Sequence, residues 1–216
     1  MDLAAGLVGL LAGLLVGPAA DRIATNAPLH RRPWARTPRS SRLLLVVAGT
    51  AAAGLVCGLV FGFTLKALTA ALFLWVLVIV TRTDLEHRLI PDSVVLPATV
   101  LVVVLRTVDE PSLEWVLAAL GLGLAFFLIA LVYPSGIGMG DVKLSAFLGA
   151  GLGVMAVVAI FVGYFAAFVP AAYLFVRHGR GARKLGIPLG PFLALGGVAA
   201  LFWGAAIVDW YRDIGT

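Results

Sequence analysis

Two aspartates carry the chemistry this chain is best equipped to perform. Asp84 sits in Thr83-Asp84-Leu85-Glu86-His87-Arg88-Leu89-Ile90-Pro91-Asp92, and Asp141 in Gly138-Met139-Gly140-Asp141-Val142-Lys143. Both segments are bounded by long apolar stretches. An acidic side chain in or near lipid is costly and usually has a task. Two carboxylates brought together share one proton, and such a pair activates water for hydrolysis.

Each neighbouring residue has a plainer reading beside the chemical one. Aspartate is a favoured N-cap, so Asp141 after Gly138-Met139-Gly140 also reads as the start of a helix. The two roles are compatible. Gly138 and Gly140, lacking side chains, admit a substrate backbone or a neighbouring helix at close range. Pro91-Asp92-Ser93 reads first as another helix start. Asp84 resists that explanation, because it lies near the C-terminal end of a hydrophobic helix, where the macrodipole disfavours an anion. Glu86 belongs to the solvated or headgroup boundary, with the standing of an alternate acid two residues on. Lys143 either pairs with Asp141 or meets lipid phosphate. Asp21, Glu86 and Asp92 also form an acidic set able to attract a basic partner.

A metal is not expected. His87 has no grouping of His, Cys and carboxylate around it, and the one cysteine, Cys57, lies in an apolar run. No cofactor is expected either. The arginine-rich 21–42 segment contains a single aromatic, Trp34, which argues against nucleic acid and for a topology determinant touching anionic lipid.

The elements that must position these residues are membrane helices. Of 216 residues, 62% are hydrophobic and 12% charged, where soluble domains carry about 25% charge. Apolar stretches near the length of a bilayer crossing recur from end to end, which implies an all-α, polytopic membrane helix bundle without a sizeable soluble domain. Hydropathy and Gly/Pro punctuation predict about eight transmembrane helices, at 3–20, 43–61, 63–81, 93–108, 113–133, 142–153, 154–176 and 189–208. With no basic residue before the first apolar stretch, that stretch reads as a retained span rather than a cleaved signal. Gly149, Gly151 and Gly153 either break the 142–176 stretch or permit close helix contact.

This count distributes charge unevenly. Loops 21–42, 82–92, 134–143 and 177–188 fall on one face and hold 13 of the 16 Lys and Arg residues; Lys66, Arg106 and Arg212 fall toward the other. The positive-inside rule makes the first face cytoplasmic. Two predicted spans separate Asp84 from Asp141, so both acids reach that face. The spans after each acidic motif are short, at about 24 Å and about 18 Å as helices, against a hydrocarbon core of about 30 Å. Asp84, Asp92 and Asp141 are therefore expected in a recessed, partly wet cavity.

In order and spacing these motifs resemble the type IV prepilin peptidase family, a branch of the GxGD intramembrane aspartyl proteases. Residues 83–92 resemble its first acidic motif, an Asp followed by an apolar-Pro-Asp turn. Gly138-Met139-Gly140-Asp141-Val142-Lys143-Leu144 resembles its GxGD-x-K-L motif. Ile187-Pro188-Leu189-Gly190-Pro191-Phe192-Leu193 resembles a Pro-Phe-Gly-Pro-Phe segment, with Leu189 in place of Phe. Gly13-Leu14-Leu15-Val16-Gly17 echoes the first span of longer members more weakly.

The resemblance implies catalytic roles for Asp84 and Asp141. It implies substrate contacts for Gly138, Gly140, Glu86, Asp92 and Lys143. The expected substrate is a type IV prepilin or pseudopilin with a short basic leader, cut after Gly at the cytoplasmic face of the inner membrane. On this reading residues 1–42 are a first transmembrane helix with a short basic loop, and 43–216 the peptidase domain. Longer bifunctional members carry paired CxxC motifs in a cytoplasmic loop and also N-methylate the product. The corresponding loop here is short and without cysteine, which leaves a methyltransferase activity in doubt. Oligomeric state is open. The rival classes are a proton-coupled transporter, which predicts acids at mid-membrane and an inverted repeat, and a non-catalytic membrane scaffold, indifferent to loss of either aspartate.

Overall fold

A computed structural model describes residues 2–27, 42–134, 136–178 and 187–214. Most of the arginine-rich 21–42 loop, with His30 and Trp34, and the centre of the 177–188 loop lie outside the described residues.

The described chain is helical, with α1 at Leu3–Asn26, α2 at Leu43–Phe61, α3 at Leu65–His87, α4 at Asp92–Asp109, α5 at Glu114–Val132, α6 at Met139–Leu152, α7 at Ala156–His178 and α8 at Gly190–Ile214. One 3-10 turn, Gly153–Met155, joins α6 to α7. Among the described residues, six stretches are long and apolar enough to cross a membrane: α1, α2, α3, α5, α6 with α7 taken together (Met139–His178), and α8. The 18 residues of α4 include Asp92, Arg106 and Asp109, which keep it out of that set. Large apolar side chains face outward around the bundle, among them Leu15, Leu44, Val132 and Phe161. A bilayer satisfies such a surface and water does not.

α3 is the central helix. Phe73, Leu77 and Val80 meet Leu144, Phe147 and Leu148 of α6 and Leu193 of α8 in one buried cluster. The Phe73 and Phe147 rings stack with centroids 5.0 Å apart. α1 and α2 form a tight hairpin, because Gly9 faces Gly54 and Gly13 faces Thr50 at backbone contact, where no Cβ would fit. That is small-residue packing, the means by which helices associate in lipid. Thr50 Oγ1 also donates to Gly13 O at 2.8 Å across the seam.

Three helices outrun their predicted ends by a turn or more. α1 continues through Pro18 to Asn26, α3 beyond residue 81 to His87, and α8 beyond residue 208 to Ile214. Charged residues in these last turns mark where the chain leaves lipid, not where the helix stops. The glycines of the 142–176 stretch divide their expected roles. Gly153, at φ 58°, breaks the helix, while Gly149 meets the α5 backbone at Ala118 and Gly151 meets the Phe73 ring. The break is held from α4 and α5: Arg106 Nη2 donates to Gly151 O at 2.6 Å, and Val154 N–H donates to Glu114 Oε1 at 3.0 Å. The Arg106 guanidinium also lies 5.0 Å from the Trp115 ring centroid.

Candidate active site

α3 delivers Asp84 to one end of the bundle; α4 leaves that end and α5 returns to it, so α6 starts there with Asp141. Asp84 lies in the last turn of α3 and is 7% exposed. Its backbone carbonyl accepts from Arg88 N–H at 2.9 Å, and Arg88 closes the helix at φ 52°, in the left-handed region. Its carboxylate Oδ2 accepts from Gly190 N–H, at the start of α8, at 2.7 Å. A Cβ on residue 190 would stand 2.8 Å from that oxygen, so the approach requires glycine.

Asp141 is in the first turn of α6, with Gly138 as the N-cap. The carboxylate reaches back to accept from Gly138 N–H at 3.3 Å, the reciprocal half of a capping box. The helix-start reading of Asp141 therefore applies one turn further in than the cap itself. Gly140 stands against Ile90 in the α3–α4 turn, the close approach of a neighbouring element. Gly138 has open space, its nearest potential Cβ neighbour being Asp141 Oδ2 at 3.6 Å.

Asp84 and Asp141 line one cavity of about 780 Å³ together with Arg88, Ile90, Asp92, Gly138, Gly140, Lys143 and the 187–189 segment. Lys143 pairs with neither Asp141 nor an open surface: its Nζ is 2.5 Å from Asp92 Oδ1 and joins the second acidic motif to the first. Asp92 is the first residue of α4, after Pro91 as N-cap. With Asp92 59% exposed, the pair is worth about 0.2–1 kcal/mol.

Glu86 is not among the cavity-lining residues. It lies 3.4 Å from Arg82, 3.5 Å from Arg42 and 3.8 Å from His87. Asp21 likewise turns to Arg82, at 3.0 Å. Among the described residues no three of His, Cys, Asp or Glu gather as a metal site.

Two residues at this end escaped the sequence reading. Gly190 was visible as part of the Pro-Leu-Gly-Pro-Phe segment, but nothing in that pattern said which side chain its N–H would meet. Tyr164 of α7 packs beside Phe126 and Val142, and its buried hydroxyl has no hydrogen-bond partner among the described residues. A lone tyrosine in an apolar span carries no such signal.

Comparison with known proteins agrees with the motifs. A model of the type IV leader peptidase family matches residues 71–209. A prepilin leader peptidase/N-methyltransferase of Legionella pneumophila is 35% identical over 184 residues, 81% of this chain and 63% of that protein. Proteins of the same description from Bacillus subtilis and Aeromonas hydrophila are 31% and 33% identical, over 71% and 86% of this chain and 63% and 69% of their own lengths. The chain thus spans somewhat under two thirds of the first of these relatives. No solved structure matches. With the family model covering both acidic motifs and the Gly190 segment, the chain belongs to the type IV leader peptidase family.

Proposed function

We propose that this protein is an intramembrane aspartic endopeptidase that removes the short basic leader of type IV prepilin-like substrates, cutting after Gly at the cytoplasmic face of the inner membrane. The observation that carries this reading is the shared cavity: two acids from separate motifs line one hollow at one end of an apolar bundle. One carboxylate, ionised, takes a proton from water; the other, protonated, polarises the scissile carbonyl and later donates to the leaving amine. No metal and no covalent intermediate enters the sequence.

The substrate's leader occupies the cavity, with Gly138 and Gly140 offering backbone at close range and Asp92 an acid at the rim. Lys143 acts by holding Asp92 in place. Glu86, paired with two arginines, acts at most on a distant part of the leader. A proton-coupled carrier is less well supported, since both acids lie at the bundle's end rather than its middle.

The test is incubation of the purified protein in detergent with a pilin-leader peptide, read by mass spectrometry. Cleavage after Gly is expected, with a rate that falls on both sides of an optimum pH as the pair becomes fully protonated or fully ionised. Asp84→Asn and Asp141→Asn should each abolish it. Full activity in either variant would overturn the dyad. A methyl donor in the same reaction reads the second activity in the relatives' name, as added mass on the product N-terminus.

A further inference from the structure

The last turn of α3 is gripped from two sides. Residues 82 and 84 are two positions apart, about 200° around a helix, so their side chains leave α3 in nearly opposite directions. Asp84 faces Gly190 of α8. Arg82, 6% exposed, faces α1: its Nη1 donates to Asp21 O at 2.8 Å and to Thr25 Oγ1 at 3.0 Å, and lies 3.0 Å from Asp21 Oδ1. Thr25 Oγ1 donates to the same Asp21 carbonyl at 2.8 Å. A guanidinium taken out of water is retained only where its partners replace the hydration it loses. Here the partners include one turn of α1 and, at 3.4 Å, Glu86 one turn on in α3 itself; Arg82 is not among the residues that line the cavity.

We infer that Asp21, Thr25 and Arg82 are positioning residues that clamp α1 to the catalytic end of α3. The clamp sets the rotation and height of that turn, and so the place of Asp84 between Gly190 and the cavity. α1 lies outside residues 71–209, the span matched to the family; the inference gives this outlying helix a part in the geometry of the reaction. It acts mainly through Asp84. The cavity walls come from the α3–α4 turn, the starts of α4 and α6 and residues 187–189, which the clamp does not touch; α1 adds only Ala27, beyond the clamped turn. Loosening it should therefore slow turnover and leave substrate binding nearly unchanged. A misplacement near 1 Å at a reacting group costs up to about a hundredfold in rate.

The activity readout rests on the peptidase reading; a second readout does not. In full-length protein in detergent, Arg82→Lys keeps the charge and loses the planar fork. It should lower kcat by about tenfold or more with KM within about twofold, and amide exchange at residues 84–88 should quicken while exchange in α5 stays as in the parent. Asp21→Asn should give a smaller loss, and combining it with Arg82→Lys should add little, since both act on one contact. If Arg82→Lys does not fold, Thr25→Val, which removes one acceptor without changing shape, carries the same two readouts on a smaller scale.

Folded variants with parental kcat and parental exchange at 84–88 would overturn the clamp, as would a rise in KM alone. If the parent protein cleaves no leader peptide, the peptidase reading falls, and the exchange measurement by itself decides the clamp.

Discussion

At the scale of single residues, the site depends on one backbone amide. Gly190 N–H at 2.7 Å is the hydrogen bond shown for the Asp84 carboxylate, and a methyl group at residue 190 would stand 2.8 Å from Oδ2 and 3.0 Å from the Asp84 Cβ. Side chain and α8 must then part. We expect Gly190→Ala to reduce leader-peptide cleavage by about a hundredfold while the protein still elutes as the parent does. Parental activity would show that the amide is not needed. The acids themselves were legible in the sequence, because carboxylates are conspicuous among leucines. Their partners were less so. Lys143 was assigned to Asp141 or to lipid, and it bridges to Asp92, 51 positions away. Sequence distance hides such a pair, since only the return of α5 brings α6 beside α4.

At the scale of elements, helix existence was readable and helix ends were not. Hydropathy sees where lipid ends, so it stopped α1 at residue 20 and α3 at residue 81. The backbone follows its own hydrogen bonds instead, until left-handed Arg88 stops α3 and residue 27 closes α1. The break between α6 and α7 was foreseen among three glycines, yet only packing shows which one breaks. Arg106 reveals how the break is tolerated: a buried cation satisfies a carbonyl freed where the helix stops. Arg106→Gln loses the charged hydrogen bond at 2.6 Å and the contact with Trp115. It should cost about 2–3 kcal/mol, read as a lower Tm in detergent. Because this contact lies at the end away from the cavity, KM for leader peptide should hold; a changed KM with an unchanged Tm would contradict the account.

At the scale of the molecule, orientation was inferred from charge alone. The helix ends place the α3–α4 turn and the start of α6 at one end, and the α4–α5 turn at the other. Cys57 is 1% exposed and so offers little background to thiol reagents. In intact cells an impermeant maleimide should therefore label Ser112→Cys and spare Ser93→Cys, with both labelled after lysis. The opposite pattern would put the acids outside. That both acids reach one end of the bundle was legible from counting helices, while the side they face rests on weighing arginines. Those signals are spread over the whole chain and survive errors of several residues at any one boundary.

The path of the chain between the two acids has a consequence for biosynthesis. Asp84 closes the third helix and Asp141 opens the sixth, with an excursion through α4 and α5 to the other end of the bundle between them. On the proposed dyad, a ribosome that has delivered only the first five helices has made a protein with half a reaction centre. The amide that meets Asp84 comes later still, with α8, so on that reading the nascent chain stays inert until its last helix is in place.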